Sequence, residues 1–328
     1  MELINRFQEA ISKANTIIIT THILPDADGI GSQVALSLAL KSIGKDVYCV
    51  NEEKLLPRYQ YLDSNNFVLS VEEATKIFTD KDIDLLIVAD TNSLDRIGSK
   101  IHQLVSKSED LLFIDHHPCP KEISALHCVD TKMAATGELV GKLIESIGVE
   151  FDRAMALALY TAIIIDTSSF RYPTVTSNTH LLVSKLLKAG ITPVESYYKI
   201  YGAQKINFLK LLGQILSRAE STPDGKVAWL VLSDDDLKQF GIENEETYGF
   251  INHLLVLDGI KVVCMFRQLE KFVKISFRSM GDVDVGVIAQ ALGGGGHNHS
   301  SATVIENRSI DTVIKQTISK LQIMLNDD

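Results

Sequence analysis

Three short apolar runs, separated by helical patterns, most constrain how this chain can fold. The runs cover residues 16–20, 85–89 and 111–114, and each is apolar or β-branched almost throughout. Runs of this length and composition are typical of strands that are buried on both faces. Helical periodicity lies between them, for example over 31–43 and 97–105. Because strand and helix alternate, the sequence predicts an α/β fold with a doubly wound, mostly parallel sheet.

A change of pattern after the turn-forming segment 221–225 predicts a second domain. Further helices are predicted at about 135–148, 152–165, 178–189 and 193–218. Beyond the turn, predicted strands at about 226–232, 260–267 and 271–278 alternate with helices at about 284–292 and 309–325. We interpret residues 1–188 as the first domain, 189–219 as a helical connector and 220–328 as a smaller α/β domain. The predicted active site is the cleft between the two domains.

Composition excludes several classes of partner. The formal net charge of −10 argues against binding of a long nucleic-acid duplex through a broad basic surface. A small anionic substrate is still compatible with this charge, because bound cations can make the local potential positive. No apolar run approaches the ~20 residues of a membrane span, and the N-terminus has no signal-peptide pattern. The four cysteines form no CxxC pair. They predict buried thiols in a reducing, cytoplasmic compartment.

Acidic and histidine side chains follow all three runs, at the point where each predicted strand ends. The first run leads to His22, Asp26 and Asp28, the second to Asp90, and the third to Asp115, His116 and His117. A further acid, Asp166, follows the apolar helical segment 154–165. Sites in parallel α/β sheets form at the carboxyl ends of the strands. We therefore expect these side chains to meet in one crevice.

The chemistry of this set favours a pair of metal ions. So many carboxylates would repel one another unless cations neutralised them. Mixed imidazole and carboxylate ligands without thiolate favour Mn²⁺. Two such ions that share a carboxylate can activate water and stabilise the charge that develops on a phosphate. Six side chains are candidate ligands: His22, Asp26, Asp28, Asp90, His116 and Asp166. Any one alone could be a helix cap or a turn residue, but their joint placement favours a metal site.

These residues resemble the motifs of a known family. The blocks His22-x3-Asp26-x-Asp28, Asp90, Asp115-His116-His117 and Asp166 resemble the DHH phosphoesterase superfamily in order and spacing. The run Gly293–Gly296 before His297, with Ser276-Phe277-Arg278-Ser279 upstream, resembles the accessory domain of its nanoRNase branch, the bifunctional oligoribonucleases and pAp phosphatases. Segment 298–303 departs from that pattern, which usually continues with Ala and Gly. The departure puts a close backbone approach after His297 in question.

The resemblance implies a role for each residue of the metal set. It implies that one ion is held by His22, Asp26 and Asp90. It implies that the other is held by Asp28, Asp90, His116 and Asp166, so that Asp90 is shared. His117 would contact the substrate phosphate and act as an acid. Asp115 would orient a histidine, as a carboxylate beside a metal ligand does. His117 and Asp115 are therefore the candidate catalytic residues.

The second domain offers candidate substrate-binding residues. Along 272–278, Val273, Ile275 and Phe277 face one way, whereas Lys274, Ser276 and Arg278 face the other. The window 261–280 holds five basic residues and one acid, unlike the acidic chain as a whole. A solvated strand face and a flexible turn are the alternative interpretations. Consecutive glycines favour a backbone that closes on an anion. The candidates are Lys274, Arg278, Ser279, Gly294, Gly295, Gly296 and His297.

The two halves together predict a two-metal phosphoesterase for short substrates. The resemblance implies hydrolysis of short single-stranded oligoribonucleotides (nanoRNA) to mononucleotides, of pAp to AMP, or both. A linear or cyclic dinucleotide phosphodiesterase is one alternative. A metal-dependent nucleotide-binding protein without turnover is another. A family II pyrophosphatase is less favoured, because it gives the glycine run no role. The expected partners are short single-stranded RNA or small nucleotides. We expect no binding to long duplex nucleic acid or to a membrane, and the protein could form a homodimer.

Overall fold

A computed structural model describes residues 2–78, 81–119, 126–202, 204–243, 247–269 and 272–326. The chain divides into two compact units, Met1–Gly202 and Ala203–Asp328. The segment predicted as a connector contributes one helix to each unit. No helix in the described ranges is long and apolar enough to span a bilayer.

The first unit is built on a parallel sheet. Its strands are β1 (Thr16–Thr21), β2 (Asp46–Asn51), β3 (Val68–Ser70), β4 (Ile83–Ala89), β5 (Ser108–Asp115) and β6 (Leu126–Val129). They lie in the order β3-β2-β1-β4-β5-β6, and every neighbouring pair is parallel. Every residue of β1 is buried, because helices cover both faces of the sheet. The predicted α/β fold is confirmed.

The helices of this unit are α1 (Glu2–Lys13), α2 (Ala27–Ser42), α3 (Val71–Ile77), α4 (His102–Val105), α5 (Thr136–Ser146), α6 (Arg153–Asp166), α7 (Ser177–Lys188) and α8 (Pro193–Tyr201). Helices α2 and α6 are buried over most of their surfaces and pack against each other. Their backbones approach closely at Gly31, where a Cβ would lie 2.4 Å from the carbonyl oxygen of Ala158. This packing brings the first turn of α2 and the last turn of α6 to the same edge of the sheet.

The second unit contains a mixed sheet with helices on both faces. Its elements are α9 (Ile206–Ser217), β7 (Glu220–Ser221), β8 (Val227–Leu232), α10 (Asp234–Phe240), β9 (Val262–Leu269), β10 (Phe272–Ser279), α11 (Val285–Ala291), β11 (Gly295–His297), β12 (Ser300–Glu306) and α12 (Ile310–Asn326). The strand order is β11-β12-β10-β9-β8-β7, in which only β8 and β9 run parallel. Leu230 and Met265 pack on the side of α9, whereas Cys264 and Phe277 pack on the side of α11 and α12.

Two predicted helices differ in the structure, where one is shorter and the other is divided in two. The helix predicted over 97–105 is reduced to α4, because Gly98 has φ +96°, which no helix accommodates. The helix predicted over 193–218 is two helices, since α8 ends at Gly202 and α9 begins at Ile206. Glycine is a poor helix former and commonly follows the last helical residue.

Candidate metal centre

The predicted ligands lie together at the carboxyl edge of the first sheet. His22 directly follows β1, Asp90 directly follows β4, and His116 follows β5. These three strands are neighbours, so their ends are adjacent. Asp28 lies in the first turn of α2, and Asp166 is the last residue of α6. Segments far apart in the sequence therefore supply one cluster of acids and imidazoles.

Among the described residues, the cluster contains three groups of three donors, two of which have no residue in common. One group is His22, Asp26 and Asp90, and the other is Asp28, His116 and Asp166. Within each group the donor atoms lie within 4.8 Å of one another. In the first group, His22 Nε2 lies 3.5 Å from Asp90 Oδ2. In the second, His116 Nε2 lies 3.2 Å from Asp166 Oδ2 and 3.9 Å from Asp28 Oδ2.

Asp90 connects the two groups. It belongs to the first group and also to a third, with His116 and His117. Its Oδ2 atom is buried and accepts no hydrogen bond from any described residue. A buried carboxylate oxygen without a donor is costly unless a cation lies beside it. The residues present therefore fit bound divalent metal, with Asp90 among its ligands.

The shifted pKa values of the cluster also indicate that its negative charges need to be neutralised. Burial and the neighbouring Asp166 carboxylate raise the pKa of Asp28 to about 7. Burial and Asp28 raise the pKa of Asp90 well above its usual range. Burial alone would lower the pKa of His116, but Asp166 and Asp28 raise it well above normal. Protons thus partly neutralise the cluster, and metal ions would displace them on binding.

We expect the metal-free protein to lose stability as the pH rises towards 7. The pKa of Asp28 is higher in the folded protein, about 7, than the ~3.9 of an unfolded aspartate. The folded state therefore binds the proton more tightly, so this stabilisation is full below about pH 4 and is lost by about pH 7. The raised pKa of His116 acts in the same direction at higher pH, because its stabilisation is full below the ~6.5 of an unfolded histidine and is lost as the pH rises through its raised folded pKa. Thermal unfolding of chelator-treated protein at about pH 5, 6, 7 and 8 measures the effect.

Excess Mn²⁺ should flatten this decline, because metal binding replaces the lost protons and strengthens as they leave. Asp84 offers a matched control. Hydrogen bonds from the backbone amides of Thr16 and Asn15 lower its pKa. Asp84→Asn should therefore keep the decline, whereas Asp28→Asn should reduce it. A metal-free protein that gains stability between about pH 5 and 8 would contradict the expectation.

His117 is held by a carboxylate that does not belong to the metal-donor groups. His117 Nδ1 donates to Asp115 Oδ1 at 2.5 Å, and the backbone amide of His116 donates to the same oxygen at 2.8 Å. Burial would raise the pKa of Asp115, but the hydrogen bond from His117 lowers it below its usual value. Because Asp115 fixes Nδ1, the other ring nitrogen of His117 is the one that can exchange a proton with a ligand.

Sequence reasoning missed Asn92. Its Nδ2 donates to Asp115 Oδ2 at 2.8 Å and to the carbonyl of Pro118 at 3.1 Å. This contact completes a chain from Asn92 through Asp115 to His117. The available signal was the position of Asn92, two residues after Asp90 in the loop that follows β4.

Sequence reasoning also missed Thr136, which touches two predicted ligands. Its hydroxyl donates to Asp90 Oδ1 at 2.8 Å, and its backbone amide donates to Asp28 Oδ2 at 2.7 Å. The capping role weighed for Asp26 is present as well, since Asp26 Oδ1 accepts from the amides of Asp28 and Gly29 at the start of α2. Capping one helix end does not exclude metal binding by the same side chain.

In the second unit, the predicted polar residues of β10 have different surroundings. Lys274 and Arg278 are half-buried, and Lys274 Nζ lies 5.1 Å from the centre of the Tyr248 ring. Arg278 donates to the carbonyl of Phe277 at 2.8 Å. Ser279 is fully buried, and its hydroxyl donates to the carbonyl of Val283 at 2.6 Å. The side chain of His297 lies outside what the structure describes.

The fold itself explains most of the glycine run. A Cβ on Gly294 would lie 2.1 Å from the carbonyl oxygen of Ala302, and one on Gly296 would lie 2.5 Å from Ser301 Cα. Gly293 has φ +80°. Gly294 and Gly296 require glycine because the chain approaches β12 closely there, even though segment 298–303 departs from the family pattern, whereas Gly293 requires it because of its positive φ. A Cβ on Gly295, by contrast, would meet no described atom within 4 Å.

Comparisons with known proteins agree with this geometry. Residues 16–163 match the DHH family, N-terminal domain, and residues 212–322 match the DHHA1 domain. A bifunctional oligoribonuclease and PAP phosphatase NrnA from Thermus thermophilus is 29% identical over 93% of this chain and 89% of that protein. The cyclic-di-AMP phosphodiesterase GdpP of Bacillus subtilis is 27% identical over 94% of this chain and 48% of its own length.

A solved structure shows the same fold over nearly the full chain. The exopolyphosphatase-related protein from Bacteroides fragilis has a TM-score of 0.90 and 26% identity, over 99% of this chain and 98% of that chain. The two family matches fall on the two units, and the DHH match contains all the candidate metal ligands except Asp166. The chain therefore belongs to the DHH family, carries a DHHA1 domain, and is a hydrolase that acts on phosphate esters.

Proposed function

We propose that this chain uses two divalent metal ions, with Mn²⁺ preferred, to hydrolyse short oligoribonucleotides to mononucleotides, pAp to AMP, or both. The observation that carries the proposal is the cluster of three donor groups, in which Asp90 belongs to two. The name of the Thermus thermophilus relative supports the choice of substrates, since the likeness extends over 93% of this chain. The acidic net charge of −10 also suits a short substrate better than a long polyanion.

In this mechanism, one ion would be held by His22, Asp26 and Asp90, and the other by Asp28, Asp90, His116 and Asp166. When bound, such ions stabilise the charge that develops on the phosphate and lower the pKa of a nearby water. Asp115 keeps His117 in one tautomer and one orientation through the hydrogen bond to Nδ1. His117 contacts the phosphate through its other ring nitrogen and donates a proton to the departing ester oxygen, as a water oxygen bonds to phosphorus and the phosphorus–oxygen ester bond breaks. Asn92 holds Asp115 in place.

The second unit captures the rest of the substrate in this proposal. Arg278 supplies a positive charge for a phosphate, and Lys274 lies on the same face of β10. Gly295 is the position at which a ligand can approach the backbone, because the fold alone does not require a glycine there. His297 and the neighbouring glycines complete the proposed substrate-binding set.

Arg278→Ala and Gly295→Ala are expected to weaken substrate capture without loss of metal. Arg278→Ala removes a hydrogen bond to a charged group, worth about 1.5–3 kcal/mol, so its kcat/KM for a dinucleotide should fall about ten- to a hundredfold. Gly295→Ala places a methyl group where the ligand would approach the backbone, so it should lower the same kcat/KM. A nitrophenyl phosphodiester offers the second unit nothing to bind, so its hydrolysis should change little. Steady-state kinetics on both substrates, with metal content measured in parallel, tests the expectation.

Two matched variants separate capture from folding. Arg308, whose guanidinium donates to Gln316 Oε1, serves as the control arginine, and Arg308→Ala should behave as the wild type. Gly294→Ala should destabilise the protein, because its Cβ would collide with the carbonyl of Ala302. Equal losses on the dinucleotide and on the small ester would show that the second unit acts through folding, and the capture role would then be wrong.

A substrate panel tests the proposed function directly. The panel compares 5′-labelled di- to pentanucleotides, pAp, linear and cyclic dinucleotides, and pyrophosphate, all in Mn²⁺. We expect turnover of the short oligoribonucleotides, of pAp, or of both. A protein that binds Mn²⁺ and nucleotide but releases neither phosphate nor mononucleotide would be a binding protein, and the proposal would be wrong.

A dinucleotide phosphodiesterase is the second candidate function. The relative GdpP supports it, since that likeness extends over 94% of this chain. This chain corresponds to only 48% of GdpP, so the activity of that longer protein carries less weight here. A preference for cyclic over linear dinucleotides in the same panel would favour this candidate.

A further inference from the structure

Thr136 contacts both halves of the candidate metal centre and belongs to neither donor group. Its hydroxyl donates to Asp90 Oδ1 at 2.8 Å. Its backbone amide donates to Asp28 Oδ2 at 2.7 Å, and the amide of Gly137 donates to Asp28 Oδ1 at 2.8 Å. Thr136, Asp28 and Asp90 are all essentially inaccessible to solvent. The first turn of α5 is thus the element that both carboxylates share.

The hydroxyl contact determines which oxygen of Asp90 is available. Thr136 occupies Oδ1, whereas Oδ2 accepts no hydrogen bond from any residue in the described ranges and lies 3.5 Å from His22 Nε2. A carboxylate held at one oxygen has less freedom to rotate, so Oδ2 stays directed towards the first donor group. Asp90 also has φ +64°, a backbone conformation that a non-glycine residue keeps only where surrounding contacts hold it.

An ordinary structural role does not account for this contact. A threonine at a helix start usually caps its own helix. Helix α5 has no side-chain cap, and the Thr136 hydroxyl leaves the helix to reach a residue 46 positions away. The close approach of α5 depends on Gly137, where a Cβ would lie 2.5 Å from Ala162 Cβ. The packing of α5 against α6 therefore delivers the two amides to Asp28.

We infer that Thr136 is a positioning residue of the metal centre, which orients the shared carboxylate of Asp90 and anchors Asp28 beside it. The inference rests on the proposed function in one respect, since it takes these two carboxylates as metal ligands. It does not depend on which phosphate ester is the substrate. Groups that hold metal ligands in place typically change metal affinity by about 10- to 100-fold when they are removed.

The test compares Thr136→Val with Thr136→Ser in substrate-free protein. Valine keeps the shape and loses the hydroxyl, whereas serine keeps the hydroxyl. The affinity for Mn²⁺ is measured by titration. Binding is detected by calorimetry and by loss of the electron paramagnetic resonance signal of the free ion. We expect Thr136→Val to weaken Mn²⁺ binding about 10- to 100-fold and Thr136→Ser to stay within about threefold of the wild type.

Thr179 provides the matched control. It is fully buried, and its hydroxyl donates to Glu138 Oε2 at 3.0 Å, outside the donor groups. Thr179→Val thus removes a buried hydroxyl-to-carboxylate bond of the same kind. It should lower the melting temperature of the metal-free protein and leave Mn²⁺ affinity unchanged. If Thr136→Val does not fold, Thr136→Ala is compared with Thr136→Ser in the same titration.

Three outcomes would overturn the inference. They are wild-type Mn²⁺ affinity in Thr136→Val, an equal loss in Thr136→Ser, and an equal loss in Thr179→Val. The last two would mean that the threonine acts through stability alone. If the wild type binds Mn²⁺ with the expected dependence on Thr136 but hydrolyses none of the oligoribonucleotides or pAp, only the proposed function is wrong. The two failures are therefore distinguishable.

Discussion

Asp90→Asn is expected to lower kcat by several orders of magnitude and to leave the fold intact. The substitution removes the negative charge of a carboxylate that belongs to two of the donor groups, so both proposed ions would lose an anionic ligand at once. Asparagine suits the position in other respects. It tolerates the left-handed conformation at φ +64°, and its amide oxygen can still accept from the Thr136 hydroxyl. The loss should therefore appear in catalysis and metal binding rather than in folding.

A second buried aspartate controls for the loss of a buried charge. Asp63 is as buried as Asp90 and accepts from the amides of Phe67 and Val68, but it belongs to no donor group. Asp63→Asn should reduce the free energy of unfolding and keep full Mn²⁺ content and turnover. Near-normal turnover by Asp90→Asn on every substrate, in protein that still binds two ions, would rule out Asp90 as the shared ligand.

The parts of the fold that could be predicted are those that local physics determines. Strands β1, β4 and β5 contain apolar runs, because both of their faces are covered by helices. Strand β2 was missed since Asp46, Tyr48 and Asn51 interrupt its apolar pattern, and β3 has only three residues. Strands that are short or interrupted by polar residues depend on pairing with neighbours, and a local pattern does not reveal such pairing.

The same distinction applies to the candidate site, where local patterns indicated some residues and missed others. Strand ends indicated the positions of His22, Asp90 and His116, because parallel strands deliver their carboxyl ends to one edge. Asn92 and Thr136 were missed because their contacts depend on side-chain directions that no spacing rule encodes. The glycine run was found in the sequence, but the reason for each of its glycines was not. Sequence alone did not separate Gly294, which packing against β12 requires, from Gly295, which that packing does not.

Removal of divalent metal is expected to abolish hydrolysis of every substrate. Five acidic side chains lie with three histidines at one edge of the sheet: Asp26, Asp28, Asp90, Asp115 and Asp166. A phosphate ester is itself anionic, so it would meet repulsion there unless cations neutralised the cluster. The metal-free protein should consequently lose substrate binding as well as turnover.

Readdition of single ions to chelator-treated protein measures this dependence. Mn²⁺ should restore more activity than Mg²⁺, and Ca²⁺ should restore least, because each donor group includes an imidazole, His22 in one and His116 in the other. His22→Asn and His116→Asn should each narrow the difference between Mn²⁺ and Mg²⁺, since an amide oxygen would replace the imidazole nitrogen. Full activity in excess chelator would contradict the proposed metal mechanism. Equal rescue by Ca²⁺ and Mn²⁺ would show instead that the imidazoles do not bind the ions.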